Sequence, residues 1–339
     1  MEKKKVHNFA IDALRAIAIL AVVGVHTTTR VLEASSFNIL GFSFTLFINQ
    51  ALRFAVPLFF MISGFVLELN FRFHQNYLSY LKKRFSKIFL PYLFWSAIYY
   101  FFIYTTHTIN FGNTLLYGAA SYQLYFIPTL LIFYIIFPLI HKLYKIIANK
   151  WVMIALGIIQ IYLLYRTYYV TPLPIFYPLA IACLNYYAFI LGMVSSHHQD
   201  FLQKLTKWII PTGILSIALA IAVFIQGRSL YLKTNNYLYF YSQWRPSVLA
   251  YTIALAAFLY ILYNKLNLNP RIIKHFSRLS FFVFFIHVII LEQFWNFIGK
   301  KIIGGEIFFN ILFFVAVAGI SYAIAYLVHK IPLVSKLTG

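Results

Sequence analysis

The stretch Phe9-Ala-Ile-Asp12-Ala-Leu-Arg15-Ala-Ile-Ala-Ile-Leu-Ala-Val-Val-Gly-Val25-His26 is apolar except at Asp12, Arg15 and His26. A helical run of this length crosses most of the ~30 Å hydrocarbon core of a bilayer. Arg15 and His26 stand eleven positions apart, which at 1.5 Å per residue is ~16 Å along the axis. Both therefore fall within or near one membrane span. Inserting a guanidinium at that depth costs a few kcal/mol, so ionisable groups there are functional candidates by default.

Outward from this segment the chain repeats the pattern. Ile209 to Ile225 and Ile307 to Val328 are nearly uninterrupted apolar runs of spanning length. With 62% hydrophobic and only 10% charged residues, and a mean hydropathy of +0.79, the composition excludes a water-soluble domain. Alternating ten-residue strands, the signature of a membrane barrel, are absent. The fold class is all-α, a polytopic transmembrane helical bundle. The predicted spans are 8 to 28, 44 to 69, 87 to 105, 124 to 141, 151 to 169, 178 to 196, 208 to 226, 246 to 264, 280 to 298 and 307 to 328, about ten transmembrane helices.

The formal charge of +21 does not point to nucleic acid, because the 28 Lys and Arg sit in short segments between apolar runs. With the N-terminus inside, inner segments hold 19 of them and outer segments 7, while Arg15 and Arg53 lie within spans. Basic residues are retained on the cytoplasmic side, so both termini are expected there. The Lys3-Lys4-Lys5 head resembles that of a signal peptide, but the apolar run is too long and no small-x-small site follows, so it reads as an uncleaved first helix. A single cysteine, Cys183, excludes a disulfide framework and a thiolate metal cluster.

Residues 1–339 read as one membrane-embedded domain without a soluble extracytoplasmic domain. The longest connections are Asn70 to Ser86, basic and amphipathic, and Gly227 to Arg245, rich in Tyr and Asn. The first suits a helix on an anionic surface with Phe71, Phe73, Tyr77, Leu78 and Leu81 toward lipid. In the second, Tyr231, Tyr237, Tyr239, Tyr241 and Trp244 either stack on sugar rings or anchor at the interface.

His26 can take a proton near neutral pH, whereas Arg15 can only bind anions or steady negative charge. Asp12, three residues before Arg15, lowers the cost of its burial. Base and electrophilic anchor on one helix imply an anionic or charge-developing substrate. Arg53, Glu68, His287 and Glu292 are further ionisable groups in or at the ends of spans. Ser63 and Gly64 line a site or simply let two helices approach closely. Lys82, Lys83, Arg84 and Lys87 are topogenic or bind anions. His197, His198 and Asp200 read as a solvated loop, and no metal site is expected.

The order of these motifs resembles the acyltransferase 3 family of integral membrane acyltransferases. Asp12-x-x-Arg15 with His26, then Val56-Pro57-Leu58-Phe59-Phe60-Met61-Ile62-Ser63-Gly64-Phe65, are similar to that family's first two helices. Tyr80 to Tyr92 resembles its basic inner loop leading into a Pro-bearing helix, and Ser280-Phe281-Phe282-Val283-Phe284-Phe285-Ile286-His287 its late Ser-aromatic-His segment. Where the family commonly has His-Leu-Trp-Phe-Leu, this chain has Gln123-Leu124-Tyr125-Phe126-Ile127, which keeps the aromatic frame and loses an imidazole.

The resemblance implies an enzyme of the bacterial plasma membrane with no bound cofactor. It would move an acyl group, most often acetyl, from acetyl-CoA or another acyl-CoA to a hydroxyl of a cell-surface or lipid-linked saccharide. His26 is then general base or acyl relay, Arg15 its electrostatic support, and Asp12, Ser63, Gly64, Glu68, Gln123, Tyr125, His287 and Glu292 supporting or cavity-lining. Lys82, Lys83, Arg84 and Lys87 would attract the CoA phosphates. Partners implied are the lipid bilayer, acyl-CoA, the saccharide acceptor and proteins of polysaccharide assembly. A transporter or flippase for a lipid-linked or small acyl or sugar substrate is the alternative, sharing the spans and the midplane charges.

Overall fold

The computed structural model describes residues 8–34, 39–71, 76–104, 106, 108–199, 204–234, 242–266, 270–298 and 307–331. Among these there is no strand, and the helices are α1 (Phe9–Ala34), α2 (Ile39–Ala51), α3 (Ala55–Leu69), α4 (Tyr77–Ile98), α5 (Phe111–Tyr117), α6 (Phe126–Lys142), α7 (Tyr144–Ile147), α8 (Lys150–Tyr169), α9 (Tyr177–Ser195), α10 (Ile209–Thr234), α11 (Pro246–Leu266), α12 (Pro270–Phe297) and α13 (Ile307–His329). The all-α membrane bundle read from the sequence is borne out. Among the described residues nine helical segments are long and apolar enough to cross a membrane, with α2 and α3 together forming one of them, Ser43–Leu69. The expected tenth span, 124 to 141, is the 17-residue α6, whose ~25 Å at 1.5 Å per residue falls short of the hydrocarbon core.

Two spans depart from simple rods. The predicted span 44 to 69 is broken between α2 and α3 by a turn at Leu52, Arg53 and Phe54. Non-helical backbone at membrane depth is tolerated where protein or a cavity receives it, and this break carries Arg53 inward, 5% exposed. The basic segment before the third span is no separate surface helix: α4 starts at Tyr77 and runs on into it, with the Asn76 side chain accepting from the Leu78 N–H at 2.8 Å. Tyr77 and Leu78 are exposed, as expected of lipid-facing residues. Phe71 instead packs inward, its ring 4.6 Å from that of His141 and 5.2 Å from Phe137. Phe73 lies outside the described residues.

The tightest seam joins α3 to α9. A Cβ on Gly64 would collide with the Phe189 carbonyl oxygen, and one on Gly192 with that of Met61. Small residues let the two backbones touch, which is how membrane helices gain dispersion energy where lipid offers no hydrophobic drive. Gly64 thus belongs to helix packing rather than to a cavity wall. α1 lies centrally, against α2, α3, α11, α12 and α13. By contrast α8 and α10 show exposed Ile154, Ile158, Ile161, Ile214, Ile217 and Ile221, a lipid-facing surface.

Candidate functional site

Two cavities lie along the core, and α1 contributes to both. One, of about 350 Å³, is lined by Arg15, Ser63, Arg84, Lys87, Tyr134 and Ser280, among others. The other, of about 770 Å³, is lined by His26, Arg30, Arg53, Gln123, Tyr125 and Glu292, among others. Both volumes suit small-molecule ligands. Arg15 and His26 share a helix but not a cavity, because half the thickness of the membrane separates them. Phe59, Phe126 and Phe284 line both.

In the smaller cavity the Arg15 guanidinium donates to Asp12 at 3.4 Å and to the Ser277 hydroxyl at 3.2 Å. Ser277 in turn donates to Asp12 at 2.9 Å. The three groups tie the start of α1 to α12 and hold the guanidinium in one place. Ser63 donates to the Phe59 carbonyl at 2.8 Å, an i to i−4 bond within α3. Arg84 and Lys87 reach this cavity from α4. Lys82 and Lys83, on the exposed face of the same helix, do not line it. Its lining carries Arg15, Arg84 and Lys87 against the carboxylate of Asp12 beside Arg15, so its net charge is positive.

The larger cavity is organised around His26. Its ring lies 4.7 Å from that of Tyr122 and 5.4 Å from that of His287. His287 is fully buried behind it and does not line the cavity. The His287 Nδ1 lies 3.0 Å from the Val283 carbonyl. That geometry makes Nδ1 the donor and leaves Nε2 an acceptor, with no hydrogen-bond partner. Gln123 is 3% exposed and accepts from Ser121 at 2.6 Å. The Tyr125 hydroxyl accepts from Gln243 at 2.7 Å. Glu292 pairs with Arg30 at 3.3 Å, and Arg30 lies 3.7 Å from Glu33.

The sequence placed Arg53 within a span but gave it no role; the broken helix brings it to the same cavity as His26, where it bonds Asn49 Oδ1 through Nε at 3.2 Å and Nη2 at 2.5 Å. Other residues of the site escaped the sequence. Arg245, expected in an outer connection, is fully buried and binds Gln50 and the Val223 carbonyl. Of the Tyr-rich connection, Trp244 lines the larger cavity, while Tyr231 is buried in a separate small cluster with Leu32 and Leu46. Tyr237, Tyr239 and Tyr241 lie outside the described residues. A buried cation at a helix break and an aromatic returning to the core carry no period a sequence could reveal.

Glu68 sits apart from both cavities. Its carboxylate is 3.0 Å from His141 Nδ1 and 2.7 Å from His197 Nε2, clamping the ends of α3, α6 and α9. His197 is therefore a structural partner rather than a free loop residue, and His141 gave no signal in the sequence. Among the described residues no group of three or more His, Cys, Asp and Glu could hold a metal ion.

The family model described as an acyltransferase domain, that of acyltransferase 3, matches residues 8–330. Over 296 residues the chain is 25% identical to YfiQ of Bacillus subtilis (strain 168), provisionally named a membrane-bound acyltransferase, which covers 81% of this chain and 78% of that protein. No solved structure matches. The chain belongs to the acyltransferase 3 family and is a multi-pass membrane acyltransferase.

Proposed function

For this member of the acyltransferase 3 family we propose that acetyl-CoA, or another acyl-CoA, gives its acyl group to a hydroxyl of a cell-surface or lipid-linked saccharide, with His26 as the base. One observation carries the reading: a half-buried imidazole lines a cavity of about 770 Å³ and is backed at 5.4 Å by a second, wholly buried imidazole. Both termini and the Arg15 cavity face the cytoplasm, with α6 as the tenth membrane segment. The excess of Lys and Arg in the connections on that side supports this orientation.

Lys82 and Lys83 draw the CoA phosphates to the membrane surface. Arg84, Lys87 and Arg15 hold the donor in the smaller cavity through charge-assisted hydrogen bonds. In the larger cavity the acceptor hydroxyl gives its proton to His26 while its oxygen attacks the thioester carbonyl carbon. A C–O bond forms, the C–S bond breaks, and CoA leaves as a thiolate that takes the proton back from the imidazolium. Nε2 of His287, unpartnered in the resting structure, is the hydrogen-bond acceptor offered to the remaining N–H of His26 once the imidazolium forms, which would keep the basic nitrogen facing the acceptor hydroxyl. Arg53 and the amide of Gln123 sit where negative charge develops on the carbonyl oxygen.

Purified protein in liposomes, given acetyl-labelled acetyl-CoA and lipid-linked glycans from the host membrane, is expected to release CoA and transfer label to the glycans. Label left on the protein in acid-labile form would assign His26 the relay role instead. A flippase would move the glycan and release no CoA, and that result would overturn the reading.

A further inference from the structure

Three phenyl rings separate the two cavities. Phe59 of α3 meets Phe126 of α6 at a centroid distance of 5.9 Å, and Phe126 meets Phe284 of α12 at 5.7 Å. These are contact distances for aromatic rings, and all three rings line both cavities. Phe60 packs behind Phe126 at 4.7 Å and Phe285 behind Phe284 at 5.4 Å. Phe59, half-buried, has the most room to swing. The smaller cavity reaches the surface at Lys87 and the larger at Glu33, both exposed residues.

For a donor whose charged end is held beside Arg84 and Lys87, the rings shared by the two cavities mark the direct way for its thioester to reach His26. We propose that Phe59, Phe126 and Phe284 form the passage for the thioester arm of the donor, a filter that admits slim acyl groups, rejects wide ones, and closes against water and ions at rest. A chain of methylenes and amides slides between phenyl rings without leaving a gap. A ring-bearing or branched acyl group requires all three side chains to move at once. Small size differences in an apolar slot commonly change rates ~10–200-fold, and an apolar constriction excludes ions by shedding water.

The width arm of the test rests on the acyl-CoA reading above, whereas a leak arm stands without it. In proteoliposomes, CoA release from acetyl-CoA and from benzoyl-CoA is compared for the wild type, Phe284→Ala and the milder Phe59→Leu. The acetyl-to-benzoyl rate ratio is expected to fall at least tenfold in Phe284→Ala and severalfold in Phe59→Leu. Ratios within twofold of the wild type in both variants, with acetyl transfer retained, would overturn the filter.

In parallel, an imposed pH gradient is followed with a trapped dye, with neither donor nor acceptor present. Wild-type and His26→Ala vesicles are expected to be as tight as empty ones, and Phe284→Ala vesicles to leak severalfold faster. Equal tightness of wild type and both Phe variants overturns the closure. Should no acyl-CoA release CoA while the Phe variants leak, the acyl-transfer reading fails and the partition stands.

Discussion

The two cavities share α1, α3, α6 and α12 yet differ in chemistry. The one at Arg15 is about 350 Å³ and its charged lining is Arg15, Arg84 and Lys87, all cationic. The one at His26 is about 770 Å³, sets Arg30 and Arg53 beside Glu33 and Glu292, and adds Tyr122, Tyr125 and Trp244. A slot of net positive charge selects anions and pulls them from a distance. A larger chamber with balanced charge and aromatic walls suits a neutral polar ligand, oriented by a few convergent groups. On the function proposed above, this difference divides binding from chemistry, with Arg15 on the binding side and His26 on the reacting side.

That division can be broken most sharply at His26. Replacing it with Ala is expected to lower the maximal transfer rate by ~10²–10⁴-fold, the usual contribution of a general base, with the acyl-CoA KM little changed. A variant that instead weakens donor binding at full turnover would merge the two chambers into one functional site. Arg84→Ala with Lys87→Ala should do the opposite. The KM for acetyl-CoA is expected to rise at least tenfold, since a hydrogen bond to a charged group is worth ~1.5–3 kcal/mol. Lys82→Ala with Lys83→Ala, on the exposed face, should change it by no more than about threefold, and equal effects of the two pairs would sink the assignment.

Smaller effects separate scaffold from site. Glu68→Gln removes the charge that His141 and His197 share and should cost ~1–3 kcal/mol of stability, read as a lower melting temperature in detergent, with the acetyl-CoA KM unmoved. A large KM change there would draw Glu68 into the donor cavity after all. Glu292→Gln loosens a partly exposed ion pair with Arg30, 33% and 21% accessible at the two side chains. No more than ~1 kcal/mol of stability is expected to follow, and a fall in transfer rate without loss of stability would place Glu292 on the acceptor.

Much of this was legible beforehand because membrane burial writes itself into composition. The spans, the basic connections and the Arg15 and His26 positions follow from hydropathy and spacing, since lipid forces each crossing segment to satisfy its backbone alone. Phe71 went the wrong way because one aromatic at the end of a helix reads the same whether lipid or protein covers it. Ten spans became nine and a short helix because length in sequence does not record where α6 starts in depth. Arg53 was legible as a cation within a span, but the break that turns it inward was not, although Pro57 in the first turn of α3 has no N–H to return to the Arg53 carbonyl.

By itself the chain's order of residues determined a helical membrane protein with a buried guanidinium and imidazole on its first helix, for hydropathy and helical rise are local properties. Only the tertiary packing decided that these two groups open into different chambers, that Arg53 and His287 join the imidazole, and that three phenyl rings stand between. Those are contacts between helices distant in sequence, fixed by which faces meet, and no local pattern encodes them.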